Sequence, residues 1–251
     1  MINQNNAITF NSDEIRISDF ILTLDDKAIS LESKGKRGLE FSLLNLDISE
    51  INPILNFDPI QFSGRANVSV TVDDLMKIED LSLSLVSDTL FLNKQDWGIL
   101  RVNADLSGSN TPLTVYVSLS KDTAQLIAEG YYNVKDYGSA PIQKAGYFDL
   151  NLNVHSYPLA IADFFIGETV SNIHGYFDAD LQFNGDFSKP NTSGMIYLFN
   201  GGMTVDYLNT HYTLDRAVVK VNNTLFDASQ TILKDRLGNQ AVIQGGSNIS
   251  I

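Results

Sequence analysis

Two carboxylates at a fixed separation are the first place to look for chemistry. Asp178 and Asp180 stand two residues apart in GYFDADLQFNG (Gly175 to Gly185). On an extended strand their backbones lie roughly 6.6 Å apart, inside the range used by inverting glycosidases. That mechanism needs its carboxylates on opposite sides of a bond, whereas two neighbours on one wet strand face usually serve solubility. The series Asp178, Asp180, Asn184 and Asp186 faintly follows a calcium loop, but the spacing and the glycine position are wrong and it sits on a strand. His155, His174 and His211, the only histidines, have no His-x-x-x-His spacing. The chain has no cysteine, which removes disulfides, thiolate zinc sites and cysteine nucleophiles together. No Gly-x-Ser-x-Gly elbow, P-loop or Gly-x-Gly-x-x-Gly run occurs. The sequons at Asn67, Asn191, Asn222 and Asn248 are expected by chance in an Asn- and Ser-rich chain, and Trp97 beside Gly98 reads as a strand-end anchor. The expectation is a protein with no catalytic residue, metal site or cofactor.

The elements that carry these residues follow a period of two. Phe177, Ala179, Leu181 and Phe183 point one way, while Tyr176, Asp178, Asp180, Gln182 and Asn184 point the other, which is a strand with one dry face and one wet face. A turn-rich loop, Phe187 to Gly194, is expected next, and then a strand from Met195 to Phe199. Earlier in the chain the same alternation marks short strands at Ile15 and Ile17, at Phe20, Leu22 and Leu24, at Ile29 and Leu31, and at Leu39, Leu43 and Phe41. Strands follow at Ala66 to Val72, Leu81 to Leu85, Leu90 to Leu92, Leu100 to Leu106 and Leu113 to Leu119, then Phe148 to Val154. The close spacing is an all-β meander signal with little room for crossover helices. After Gly201 the meander continues through Val219 and Val221, and a last hairpin returns at Ala241 to Ile243.

Two apolar segments break the alternation. Ile54, Leu55 and Phe57 form one, and Leu159, Ile161, Phe164 and Phe165 the other, behind a proline suited to a first helical turn. Each is followed by a glycine, Gly64 or Gly175, expected to open a strand. This is a degenerate repeat of the kind found in stacked, open-ended architectures. Both breaks read as short helices, either filling a corner of the core or closing off part of a groove. The division expected is residues 1–45 as N-terminal strands, 46–135 as a first repeat-like segment and 147–251 as a second, with a link around Tyr137 to Pro141.

Formal charge is −13, from 17 basic and 30 acidic residues. An acidic surface with scattered lysines and arginines repels phosphate backbones, so nucleic acid is not an expected partner. Composition is 43% hydrophobic and 19% charged, which is that of a folded chain rather than a disordered one. No window holds eighteen uninterrupted apolar residues, and MINQNNAITF lacks the layout of a signal peptide. The last residues, Asn248 to Ile251, read as mid-strand, so the chain is expected to be a segment of a longer protein with Met1 an added start.

A family resemblance rests on the order of several phrases. These are LNLNVHSYPLAIADFFIG (Leu150 to Gly167), the Gly175 to Gly185 strand with its Lys-Pro loop and Gly-led strand, MTVDYLNTHYTL (Met203 to Leu214) and DRLGNQAVIQGG (Asp235 to Gly246). Together they resemble the Bacteroidetes branch of the TamB family, also called AsmA-like, large periplasmic proteins of Gram-negative bacteria. The match covers about the last hundred residues, is fainter from Asp47 to Leu119, and contains no chemical signature. The resemblance implies an elongated antiparallel β-sheet curled into an open groove, the β-taco, with one or two short helices. It implies that phospholipid acyl chains are the partner and that the setting is the periplasm, within an inner-membrane-anchored parent protein that supports outer-membrane biogenesis. Anchoring, and docking on an Omp85-type outer-membrane protein, are not carried over and would belong to other parts of the parent chain.

The residues expected to line the groove are Val68, Val70, Val115, Val117, Phe148, Leu150, Leu152, Phe177, Ala179, Leu181, Phe183, Val219 and Val221. Exposing a sixteen-carbon chain to water costs on the order of 12 kcal/mol at about 0.8 per methylene, and an apolar trough offsets that cost without any headgroup contact. The alternating pattern also admits a closed β-sandwich, an adhesion or scaffold domain whose apolar faces meet and leave no channel.

Overall fold

The structure, a computed structural model, describes residues 6–11, 13–18, 20–55, 60–166 and 169–248. Phe57, Gly167 and the Ile249 to Ile251 end lie outside the described residues, as do the side chains of Leu55 and Phe165. Among the described residues the chain is all-β with antiparallel strands and two one-turn α-helices. It divides into two compact units, one of Met1–Ser120 and Glu129–Tyr147, the other of Lys121–Ala128 and Phe148–Ile251.

The first unit holds β1 (Ala7–Phe10), β2 (Ile15–Ser18), β3 (Phe20–Leu24), β4 (Lys27–Lys34), β5 (Gly38–Asp47), β6 (Phe62–Val72), β7 (Asp80–Leu92), β8 (Gln95–Ser107) and β9 (Leu113–Lys121). From β3 to β9 each strand pairs with the next in the chain, giving a plain meander. The turns explain the order. Asn93 and Lys94, the two residues between β7 and β8, both take positive φ, as a type I′ hairpin requires. Among the described residues, six of the eleven non-glycine residues with positive φ are asparagines, at 45, 93, 172, 200, 209 and 223. Much of the asparagine content therefore serves turns and bulges, because Asn tolerates the left-handed region better than branched residues do.

The division between the units falls within β10 (Ala124–Tyr132). The second unit holds β11 (Tyr147–Pro158), β12 (Val170–Asp186), β13 (Lys189–Val205), β14 (Thr210–Asn222), β15 (Leu225–Asp227), β16 (Ile232–Asp235), β17 (Gln240–Val242) and β18 (Gly246–Asn248). β11 to β14 are again neighbours in chain order, and β14 carries β15 along one half and β16 along the other. In neither unit do the outermost described strands pair with each other, so the sheet is open and not a barrel.

Each unit places a short helical segment at one bulged end. A 3-10 turn (Ile48–Ile51) runs into α1 (Asn52–Leu55) between β5 and β6. A second 3-10 turn (Leu159–Ala162) runs into α2 (Asp163–Ile166) between β11 and β12. Register shifts fall beside both, around Asn45 and Arg65 in one unit and between Ser171 and Tyr176 in the other. Bulges bend a strand and increase its twist. Beside the first segment the side chains pack tightly: Ile48, Ile60, Ala66, Leu90, Leu92 and Trp97 are buried.

Five expectations change. Lys189 to Gly194 is strand, because Asp186 pairs with Lys189 and leaves only Phe187 and Ser188 in the turn. The turn-forming composition there yields to a long edge-to-edge ladder. Gly64 and Gly175 sit inside β6 and β12, Gly175 at a bulge and Gly64 just before one, and do not open those strands. Leu81 to Leu92 is one strand interrupted by a bulge after Ser87, and β10 is a strand with no counterpart in the expected set. Ile54, a candidate corner filler, is 81% exposed, and Ile48 takes that place at 4%. Finally, in the first unit the sheet does meet a second layer at one corner. The Ser33 hydroxyl of β4 accepts from the Ile17 N–H and donates to the Ile15 carbonyl, so the β1–β2 hairpin lies on β4 with Ile15 and Ile17 buried.

Candidate functional site: an apolar face with unburied rows

Antiparallel register sorts the first unit into rows that run across the strands. Phe20, Leu31, Phe41, Val70, Leu83, Ala104 and Val115 form one row from β3 to β9. Leu22, Ile29, Leu43, Val68, Leu85, Val102 and Val117 form the next on the same face. The row between them belongs to the opposite face and holds Ile21, Ser30, Ser42, Ser69, Ser84, Asn103 and Tyr116. One face is therefore continuous hydrocarbon over seven strands, and its reverse is mostly hydroxyl and amide.

All fourteen residues of the two apolar rows are half-buried; none is buried. In a sandwich the inner faces interdigitate and these positions disappear from solvent. Six inter-strand spacings make each row about 29 Å long, against roughly 15 Å for the acyl half of a bilayer's hydrocarbon core. A row is long enough for an extended acyl chain.

The second unit repeats the register over three strands, but Ala179, Ala217 and Val221 in its rows are buried. Leu181, Gly194 and Val221 form one row, Ala179, Ile196 and Val219 the next, and Phe177, Leu198 and Ala217 a third. Among the expected lining residues here, Phe148, Ala179 and Val221 are buried, while Leu150, Leu152, Phe177, Leu181, Phe183 and Val219 are half-buried. Phe148 lies under the exposed ring of Phe187, stacked at 4.4 Å. Tyr157, 1% exposed, meets Phe177 edge-on at 6.4 Å. Val68, Val70, Val115 and Val117 stand in the two rows of the first unit.

The polar candidates are occupied locally. Asp178 accepts the Ser156 N–H at 2.7 Å, where Ser156 holds a positive φ, and its Oδ1 lies 3.4 Å from His155 Nδ1. Asp180 is exposed. Asp186 accepts the Ser188 N–H at 2.8 Å, and that hydrogen bond holds its carboxyl below the usual range. Asp47 is held low by the Ser49 hydroxyl and N–H, and so serves as a turn cap. A polar basin of about 650 Å3 surrounds Asp47, Arg65, Asn67 and Asp88 in the first unit, and its Arg65 is paired with Asp26. Among the described residues no three His, Asp or Glu side chains converge as metal ligands do.

Two features escaped sequence reasoning. His174 and His211, far apart in the chain, stack at 5.6 Å across the bare backbone of Gly202. No local spacing signals this, because β13 lies between them. A covered apolar cavity also lies over β13 and β14, walled by Leu159 and Ala162 on one side and by Ala228, Leu233 and Ile243 on the other. Its walls come from three separated segments. No helix among the described residues is long and apolar enough to cross a membrane. Comparison with family models, curated proteins and solved structures finds no match to this chain.

Proposed function

We propose that this chain is a non-enzymatic, TamB-like β-groove module that carries phospholipid acyl chains along its apolar face. The observation that supports the reading most is the pair of seven-residue rows from β3 to β9, apolar throughout and half-buried throughout. Held apolar surface of that length serves hydrocarbon better than water: each methylene laid on it gains about 0.8 kcal/mol. The serine-rich reverse face keeps the sheet soluble, and the net charge of −13 discourages self-association. The setting that goes with this activity is the periplasm, between inner and outer membranes, as part of a larger anchored parent whose other regions contact an Omp85-type protein.

The competing reading, a closed sandwich for adhesion or scaffolding, draws on the β1–β2 hairpin covering β4 at Ser33. That cover reaches one corner of the first unit, and in the second unit the face is covered in part over β13 and β14, while the rows from β3 to β9 stay half-buried. The test is Leu181→Arg, on the row with Gly194 and Val221. The groove reading expects a folded variant that no longer crosslinks to a photoactivatable lipid; unfolding or aggregation of the variant places Leu181 in a sealed core and rejects it.

A further inference from the structure

The covered cavity of the second unit measures about 210 Å3 and is lined almost wholly by carbon. Leu198 and Ala217 form its floor, and both belong to the row of the open face that begins at Phe177. The other lining comes from the 3-10 turn, with Leu159 and Ala162, from Ala228 just after β15 and from Ile243 just after β17. The cavity is thus a roofed continuation of the apolar face. Glycine keeps it open: a Cβ at Gly201 would stand 3.1 Å from Leu214 Cγ and 3.4 Å from Leu159 Cδ1.

Size and chemistry define the occupant. A dry cavity of about 150 Å3 lined by aliphatic groups holds benzene, so 210 Å3 has room for roughly eight carbons. That is far less than a phospholipid, and about half of a sixteen-carbon chain. Apart from the Thr231 hydroxyl, buried at the wall without a hydrogen-bond partner, almost no polar surface faces the cavity, and such walls suit neither a carboxylate nor a headgroup. From the Ala217 row to the Val221 row is four residues along β14, about 13 Å.

We propose that this cavity receives the methyl end of a single acyl chain, while the remainder of the chain lies along the half-buried members of the β12 to β14 rows, Leu181, Ile196 and Val219. The inference rests on the lipid-groove reading and adds a direction: methyl end under Leu159, polar end toward Leu181 and Val221. The ligand enters tail first, and a chain with a polar terminus is refused.

The test uses two hexadecanoic acids, one with a small diazirine near its methyl end and one with it near its carboxyl end, photolysed on the intact chain and mapped by mass spectrometry. The methyl-end probe is expected to label around Leu159, Ala162 and Ile243, and the carboxyl-end probe around Leu181, Gly194 and Val221. In parallel, Ala162→Phe and Ala228→Phe fill the cavity from opposite walls. Each is expected to weaken hexadecanoate binding about tenfold, from the displacement of a couple of methylenes at roughly fourfold each. Identical labelling maps for the two probes, or filled and folded variants that bind unchanged, overturn the chain-end site and leave the groove reading standing. No labelling by either probe defeats both. If neither filled variant folds, the two maps on the unaltered chain decide alone.

Discussion

Leu181 on β12 stands directly opposite Gly194 on β13, and Gly194 holds φ near 141° so close to its neighbour that an added Cβ would lie 2.9 Å from Leu181 Cα and nearer still to the Asp180 carbonyl oxygen. The row therefore has a notch: Leu181 and Val221 rise on either side of a position where no side chain fits. Gly194→Ala is expected to cost about 2 kcal/mol or more, since both the backbone conformation and the approach forbid a methyl. Urea unfolding measures it. A loss under half of that shows the two strands can separate freely at this point.

Asp178 is expected to behave as a backbone tether, without a catalytic role. Its carboxylate satisfies the Ser156 N–H in β11, where Ser156 takes a positive φ. Asp178→Ala leaves that donor without its acceptor and should cost about 1–2 kcal/mol, whereas Asp178→Asn, which keeps an acceptor oxygen, should cost about half or less. Equal losses in the two variants point to charge rather than the hydrogen bond.

Acid should destabilise the fold only in the carboxylate range. Asp136 is held low by the Ala145 N–H and then by Lys144, Asp227 by the Ser229 hydroxyl and N–H, and Asp235 chiefly by the Asn239 amide. A carboxyl with a folded-state pKa below its unfolded value stabilises above the unfolded value, near 3.9, and that contribution disappears as pH falls through the folded one. The unfolding midpoint should stay flat with respect to these groups from neutral pH down to about 5 and fall below about 4. Asp235→Asn should flatten part of that acid limb. A steep fall between pH 7 and 6 contradicts the assignment of the acid limb to these carboxylates.

Much of the fold was legible because period-two alternation survives tertiary packing. The rows containing Val68, Val70, Val115 and Val117 contain only residues that alternate in the sequence, and the final hairpin of β16 and β17 follows its Gly-Asn turn. Three kinds of information were absent. Local composition at Lys189 to Gly194 favours a turn, but the ladder partners in β12 and β14 lie outside any local window. Bulges at Ser87 and Asn172 shift the phase of the alternation, so one long strand looked like two short ones at Leu81 to Leu92. The covered cavity needs Leu159, Ala217 and Ile243 together, which only topology supplies. The candidate lining was readable as a face; its degree of exposure was not.

Adjacent residues of one strand make the most direct test of an open acyl-binding face. Val68 and Val70 on β6 share the apolar rows, and Ser69 between them faces the other way. A photoreactive amino acid placed at each of the three in turn, in cells making this protein, reports what touches each face. The account predicts lipid adducts at 68 and 70 and none at 69. Lipid at all three positions, or at none, contradicts it.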